Sequence, residues 1–228
     1  MPAPIHIGLL LFPNLTQLDA TGPYEVFARI PGARIHLAAK AATPVASDQG
    51  LAIVPTATLD DTPPLDVVCV PGGVGVNTLL EDDEVLAFLR RQAEGARFVT
   101  SVCTGALALG AAGLLRGYHA TTHWMALEFL RAFGAEPVAE RVVVDRNRIT
   151  GAGVTAGIDF AIAIAQRLVG EEWARAIQLQ IEYDPAPPFD SGSPRSADPA
   201  LVARVRAAGN AGQEERRHLV ERAAARLK

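Results

Sequence analysis

Short apolar runs alternate with longer amphipathic stretches along most of this chain, the rhythm of a mostly parallel sheet packed between helices. Ile5–Phe12 predicts a first strand and Gly22–Arg29 a helix, with Pro23 suited to its first turn. Arg34–Lys40 predicts a second strand, and Val45–Leu59 a hairpin-like excursion. Leu65–Val70 is a buried strand ending in Pro71-Gly72-Gly73, and Asp82–Glu94 a helix. From Arg97 an apolar strand runs to Cys103, and an Ala/Leu-rich helix begins at once behind Thr104 and Gly105. His123–Phe133 reads as helical and Arg141–Thr150 as a hairpin turning at Asp145–Arg148. Thr155–Val169 is a long, mostly apolar helix, and Glu171–Tyr183 another. The stretch Asp184–Pro194 is too rich in Pro, Gly and Ser to be regular. It leads to a polar helix or helix pair over Pro199–Lys228. The pattern divides the chain into an α/β domain at 1–183 and an arm with a helical tail at 184–228. Such a tail is expected to pack across a partner subunit or to fray.

Composition narrows the function classes. With 228 residues, 49% hydrophobic and 20% charged, the chain can bury a sizeable core and has a globular balance. A net charge of −4 and the lack of a long basic block leave no electrostatic footprint for nucleic acid or an anionic membrane. The opening MPAPIHIGLLLF has no basic n-region, so no signal peptide is expected. No uncharged apolar run approaches the ~18 residues of a membrane span. Two cysteines in so long a chain argue for free thiols and a reducing compartment, the cytoplasm by default.

The chemistry gathers where loops leave the carboxyl ends of strands, the usual ligand-binding edge of an open α/β sheet. Cys103 sits at a strand-to-helix turn laid out like a nucleophile elbow. A thiol at a helix N-terminus meets the positive end of the helix dipole, which is expected to depress its pKa. Asp19 follows the first strand; spacing alone suits it equally to acid–base work and to capping the next helix. Gly72 and Gly73 permit close backbone approach. Cys69 lies mid-strand and reads as a buried small hydrophobe. Glu25 reads as a helix-surface residue, and His123, beside Trp124, more as packing than chemistry. The five histidines show no metal-ligand spacing and the cysteines form no CxxC, so no metal is expected. Gly151-Ala-Gly153-Val-Thr-Ala-Gly157 has the wrong spacing for a dinucleotide fingerprint.

The segments QLDATGPYEV, VVCVPGGVGV, VTSVCTGALALGAAGLL, ATTHW and GAGVTAGIDFAIAIA resemble the PfpI-like (ThiJ/PfpI) superfamily of flavodoxin-like proteins. Asp in QLDATGP, Cys-Thr rather than Cys-His at the elbow, and the arm QLQIEYDPAPPFDSGSP resemble its isonitrile (isocyanide) hydratases. The resemblance implies Cys103 as nucleophile, Asp19 as acid–base group and Thr104 in the place where peptidase-like relatives carry histidine. It implies Gly72 and Gly73 as backbone donors to the reacting group, with Glu25 and His123 as weaker candidates. Asp19 and the cysteine are expected to share a proton, which raises the Asp pKa. The implied reaction needs no cofactor, takes a small apolar isonitrile, and is expected in a homodimer. Three other readings follow from the same residues: a glyoxalase- or deglycase-like enzyme, a thiol redox sensor, and a ligand-sensing domain like those of AraC-type regulators. The last lacks the further hundred or so residues of such regulators, and an acidic charge balance disfavours DNA.

Overall fold

The computed structural model describes residues 3–227; Met1, Pro2 and Lys228, the final position of the expected tail, lie outside it. In chain order the strands and helices are β1 (Ile5–Leu10), α1 (Gln17–Phe27), β2 (Ala33–Ala39), β3 (Val45–Ala46), β4 (Ala52–Ile53), β5 (Ala57–Thr58) and β6 (Val67–Val70). There follow α2 (Val76–Leu79), α3 (Asp83–Gly95), β7 (Phe98–Val102), α4 (Gly105–Ala111), β8 (His119–Ala120), a 3₁₀ helix (Leu127–Phe133) and β9 (Glu136–Pro137). The remainder is β10 (Val142–Asp145), β11 (Arg148–Gly151), α5 (Ala156–Val169), α6 (Glu171–Gln180) and α7 (Pro199–Ala225).

Seven strands form the main sheet in the order β10-β11-β7-β6-β1-β2-β5. All neighbours are parallel except the β10–β11 hairpin at one edge. Helices cover both faces, so the central strands are apolar without alternation: every residue of β6 and all but the first of β7 are buried. This is the mostly parallel, helix-covered sheet that the sequence pattern predicts, in the flavodoxin-like form that the resemblance implies. Parallel register brings the ends of β1, β6 and β7 to one edge, where Asp19 at the start of α1 meets the turns carrying Gly72 and Cys103.

Several boundaries differ from expectation for visible reasons. The first helix begins at Gln17, not Gly22, so Pro23 falls inside it. A proline cannot donate to the carbonyl four residues back, yet the ring packs on Gly157 of α5 and tertiary contact sustains the helix. The stretch His123–Phe133 becomes a simple turn, with Ala126 N–H donating to His123 C=O, then a 3₁₀ helix. The excursion holds the β3–β4 hairpin and then β5, which returns to the main sheet beside β2.

The tail is one 27-residue helix, capped by the Asp198 carboxylate on the N–H groups of Ala200 and Leu201. Its second half lies on its own chain rather than reaching away. Val220 and Ala223 are buried, and Arg222 forms a two-pronged pair with Glu81 at 2.8 and 2.9 Å. Arg226 pairs with Asp83. The first half is more exposed. Among the described residues no helix is long and apolar enough to cross a membrane.

Candidate active site

Cys103 stands between β7 and α4 with φ at 53°, a left-handed conformation that an L residue adopts only under restraint. Its N–H donates to Ala152 O at 2.8 Å and to Gly151 O at 3.1 Å. Its own carbonyl accepts the Thr122 hydroxyl at 2.6 Å. These bonds hold the elbow and leave the side chain only 5% exposed.

Asp19 lies in the first turn of α1 and is fully buried. It does not cap that helix: one oxygen, Oδ2, accepts the N–H of Gly72 at 2.9 Å, while the buried Oδ1 has no hydrogen-bond partner among the described residues. Burial raises the carboxyl pKa to about 7, against the lowering effect of the Gly72 N–H. Burial likewise pushes the Cys103 thiol well above its ordinary range, and the Asp19 charge pushes it further. The expected depression at the helix N-terminus is therefore overturned: desolvation and a neighbouring carboxylate outweigh the dipole. The expected raised Asp pKa is present, but its cause is burial, with Asp48 adding to it, while the Cys103 thiol acts to lower it.

The glycine loop is built around this pair. A Cβ at Gly72 would lie 2.5 Å from Thr104 N, 2.8 Å from Asp19 Oδ2 and 2.8 Å from Cys103 Cβ, so no side chain fits. Gly73, at φ 130°, donates to Thr104 Oγ1 at 3.0 Å and its carbonyl accepts from the same hydroxyl at 3.2 Å. Both N–H groups are thus spent on Asp19 and Thr104. As folded, the two glycines orient the acid and staple the loop to the elbow, rather than offering free donors to a reacting group.

The weaker candidates separate. Glu25 is exposed and ion-paired with Arg29 at 2.7 Å, away from the thiol. His123 is half-buried, and its Nδ1 accepts Met125 N–H at 3.3 Å. Burial and Arg216 lower its pKa and keep it neutral. It bonds neither Cys103 nor Asp19, but it lines a cavity of about 320 Å³ beside the elbow. That cavity is walled by Thr122, Trp124, Leu127, Glu140, Arg141 and Val154 and bounded by Gly192–Arg195 of the arm; Cys103 and Asp19 do not line it. Arg195 holds the arm there by donating to Ala139 O at 2.8 Å. Cys69 is wholly buried, its thiol pushed up to about 12 by desolvation. Among the described residues no group of three or more His, Cys, Asp or Glu could hold a metal.

Sequence reasoning missed Arg216. It lies on the inner face of α7, only 7% exposed, with Nε donating to Asn77 Oδ1 of α2 at 2.9 Å. Its charge reaches Cys103 and opposes the upward shift of the thiol. The signal was present: Gln213, Arg216, Val220, Ala223 and Leu227 follow helical spacing, a cation set in an otherwise mostly apolar stripe.

An elbow thiol paired with a buried carboxylic acid on a flavodoxin-like sheet defines a class, and the comparisons agree with it. The chain belongs to the DJ-1/PfpI family, whose profile matches residues 6–167. Within that family, the isonitrile hydratase of Pseudomonas putida is 55% identical over 98% of this chain and 98% of its own. The crystal structure of a ThiJ/PfpI family protein from Pseudomonas syringae superposes with a TM-score of 0.93 at 44% identity, covering 96% of this chain and 91% of that one. The HTH-type transcriptional regulator GbdR of Pseudomonas aeruginosa is 34% identical over 79% of this chain, which spans 51% of the regulator.

Proposed function

We propose that this chain is an isonitrile hydratase, a hydro-lyase that adds water to R–N≡C and releases the N-substituted formamide. The observation that carries this reading is the identity of 55% with the Pseudomonas putida isonitrile hydratase over nearly the full length of both chains. The buried thiol–carboxyl pair supplies chemistry that fits it.

With one proton shared, the pair carries a single negative charge, on the Asp19 oxygen or on the Cys103 sulfur. In the second form sulfur is the nucleophile and Asp19 the acid. Sulfur bonds to the terminal isonitrile carbon and the Asp19 proton passes to that same carbon, giving the thioimidate R–N=CH–S–Cys103. Asp19, now ionised, takes a proton from water as the water oxygen bonds to the carbon, and delivers it to nitrogen. The adduct then returns the hydroxyl proton to Asp19. The C–S bond breaks, its electron pair goes back to sulfur, and R–NH–CHO leaves. Thr104 and the Gly72–Gly73 backbone keep the acid and the sulfur in register. The cavity beside the elbow, with Trp124, Leu127 and Val154 among its walls, has room for a small substrate.

The arm and the exposed first half of α7, with Phe189 and Val205 open to solvent, support a homodimer in which a second copy covers them. Light scattering is expected to give twice the chain mass; a monomer at micromolar concentration overturns the dimer. Both cysteines are free, in keeping with a reducing compartment. The test of the activity is direct: a simple alkyl or aryl isonitrile should yield its formamide, followed by mass spectrometry. No formamide, with turnover of a reactive dicarbonyl instead, would favour the glyoxalase-like reading.

A further inference from the structure

We infer that Thr122, reaching the elbow from the loop after β8, is a positioning residue for the reaction: its hydroxyl sets the plane of the Cys103–Thr104 peptide, and with it the aim of the sulfur and of the Thr104 groups beside the acid. The inference rests on Cys103 as the nucleophile of the proposed function and deepens that reading.

Two peptide planes meet at Cys103, and the side chain is carried between them. The plane before it is held by its N–H, which donates to Gly151 O and Ala152 O. The plane after it is held by its carbonyl, which accepts the Thr122 hydroxyl at 2.6 Å. Among the described residues no backbone N–H reaches that carbonyl. Cys103 is left-handed, at φ 53°, a pose that an L residue does not keep by its own preference. Both planes must therefore be held from outside. Thr122 is 1% exposed, so bulk water does not reach the bond, and a buried carbonyl stripped of its donor is costly.

A peptide is planar, so fixing its C=O fixes the N–H at its other edge. Here that edge lies inside the site. A Cβ on Gly72 would meet Thr104 N, Asp19 Oδ2 and Cys103 Cβ all within 2.8 Å, which puts the three around one point. The N–H groups of Gly72 and Gly73 are spent on Asp19 and Thr104, whereas Thr104 N–H donates to no carbonyl among the described residues. A hydrogen bond to the carbonyl also polarises the amide and makes its N–H a better donor. Rotation of the plane would in addition pull the Thr104 hydroxyl off Gly73, which it grips through both N–H and C=O.

Thr122 is itself well held. Its neighbour Thr121 donates its N–H to Thr150 Oγ1 of β11 at 2.8 Å, and Val138 N–H bonds Ala120 O at 2.9 Å. A β-branched side chain has few χ1 settings, so the hydroxyl meets the carbonyl already oriented.

The test reads the peptide itself and then the reaction. Cys103–Thr104 is the sole Cys-Thr pair in the sequence. A full chain isotope-labelled at cysteine carbonyl carbons and threonine nitrogens therefore gives one carbonyl–amide correlation by NMR, that of this peptide. Thr122→Val keeps the shape and removes the hydroxyl. The correlation is expected to move, and kcat on an alkyl isonitrile to fall roughly ten- to a hundredfold, the scale of a small misplacement at a reacting centre, with KM within about twofold. Thr122→Ser, which returns the donor, is expected to bring the correlation back and recover most of kcat. If valine prevents folding, Thr122→Ala takes its place; water can then reach the carbonyl, and a moved correlation with a smaller loss of kcat is expected. An unmoved correlation or an unaltered kcat in either folded variant overturns the inference, even where the melting temperature drops. Equal losses in Thr122→Val and Thr122→Ser overturn it as well, because the hydroxyl is then not the cause. A correlation that moves and is restored by serine, in a chain whose unaltered form makes no formamide, leaves Thr122 holding the elbow and sinks the hydratase reading instead.

Discussion

At the scale of single residues, two thiols with similar burial have opposite fates because one is at a strand centre and the other at a bend. Cys103→Ala should abolish formamide production with the fold intact. Cys69→Ala should retain turnover and cost stability by the loss of one buried sulfur, visible as a lower melting temperature. The reverse pattern would mean that the nucleophile is misassigned. Asp19→Asn keeps the shape and removes the shared proton; turnover should drop by the ~10²–10⁴ of a positioned acid–base group. Since the pair loses its first proton near pH 7, kcat/KM in the unaltered protein should rise through pH 7 as the reactive singly charged form appears, and that inflection should vanish in the variant. Cys103 was legible from sequence because a strand, a cysteine, a small residue and a helix are contiguous there. Asp19 was half legible: its spacing also suits a cap, and only the Gly72 N–H, 53 positions away, decides between them. The upward shift of the thiol was not legible, because burial is a property of the whole fold while the helix dipole is local.

At the scale of elements, long periodic segments were read correctly in kind, and the errors lie where tertiary contact overrides a local rule. Pro23 inside α1 is such a case, as are the short strands β5, β8 and β9, whose two residues each carry no periodicity. The C-terminal helix is the largest revision. Its apolar positions suggested a surface for a partner, yet its second half covers its own chain and bonds Arg216 to Asn77 of α2. Deleting the chain from Pro199 onward should therefore do more than weaken self-association. Uncovering the surface beneath Val220 and Ala223 should cost several kcal/mol at about 25 cal/mol per Å² of apolar area, measured by denaturant unfolding. A truncated protein with unaltered stability would show that α7 only rests on the core.

For the molecule as a whole, the acidic pair links stability to pH. The Asp19 carboxyl titrates near 3.8 when unfolded and about 7 when folded, so the folded state binds the extra proton. Its contribution is fully present below pH 4 and is lost as pH rises toward 7, at most roughly 4 kcal/mol from the size of the shift. Thermal melts between pH 4 and 7.5 should show the loss, and Asp19→Asn should flatten that part of the curve. The topology adds a consequence in time. β7 must pair with β6 on one side and with β11 on the other, some fifty positions along the chain, and pairings of such long range form slowly. The bent backbone at Cys103 is held by the carbonyls of Gly151, the last residue of β11, and of Ala152 just after it. Until that last inner strand docks, two of the three bonds that hold the elbow are missing. During refolding, then, the mature reactivity of this thiol should emerge together with β11 and not with the early core, so that labelling of Cys103 serves as a clock for completion of the sheet.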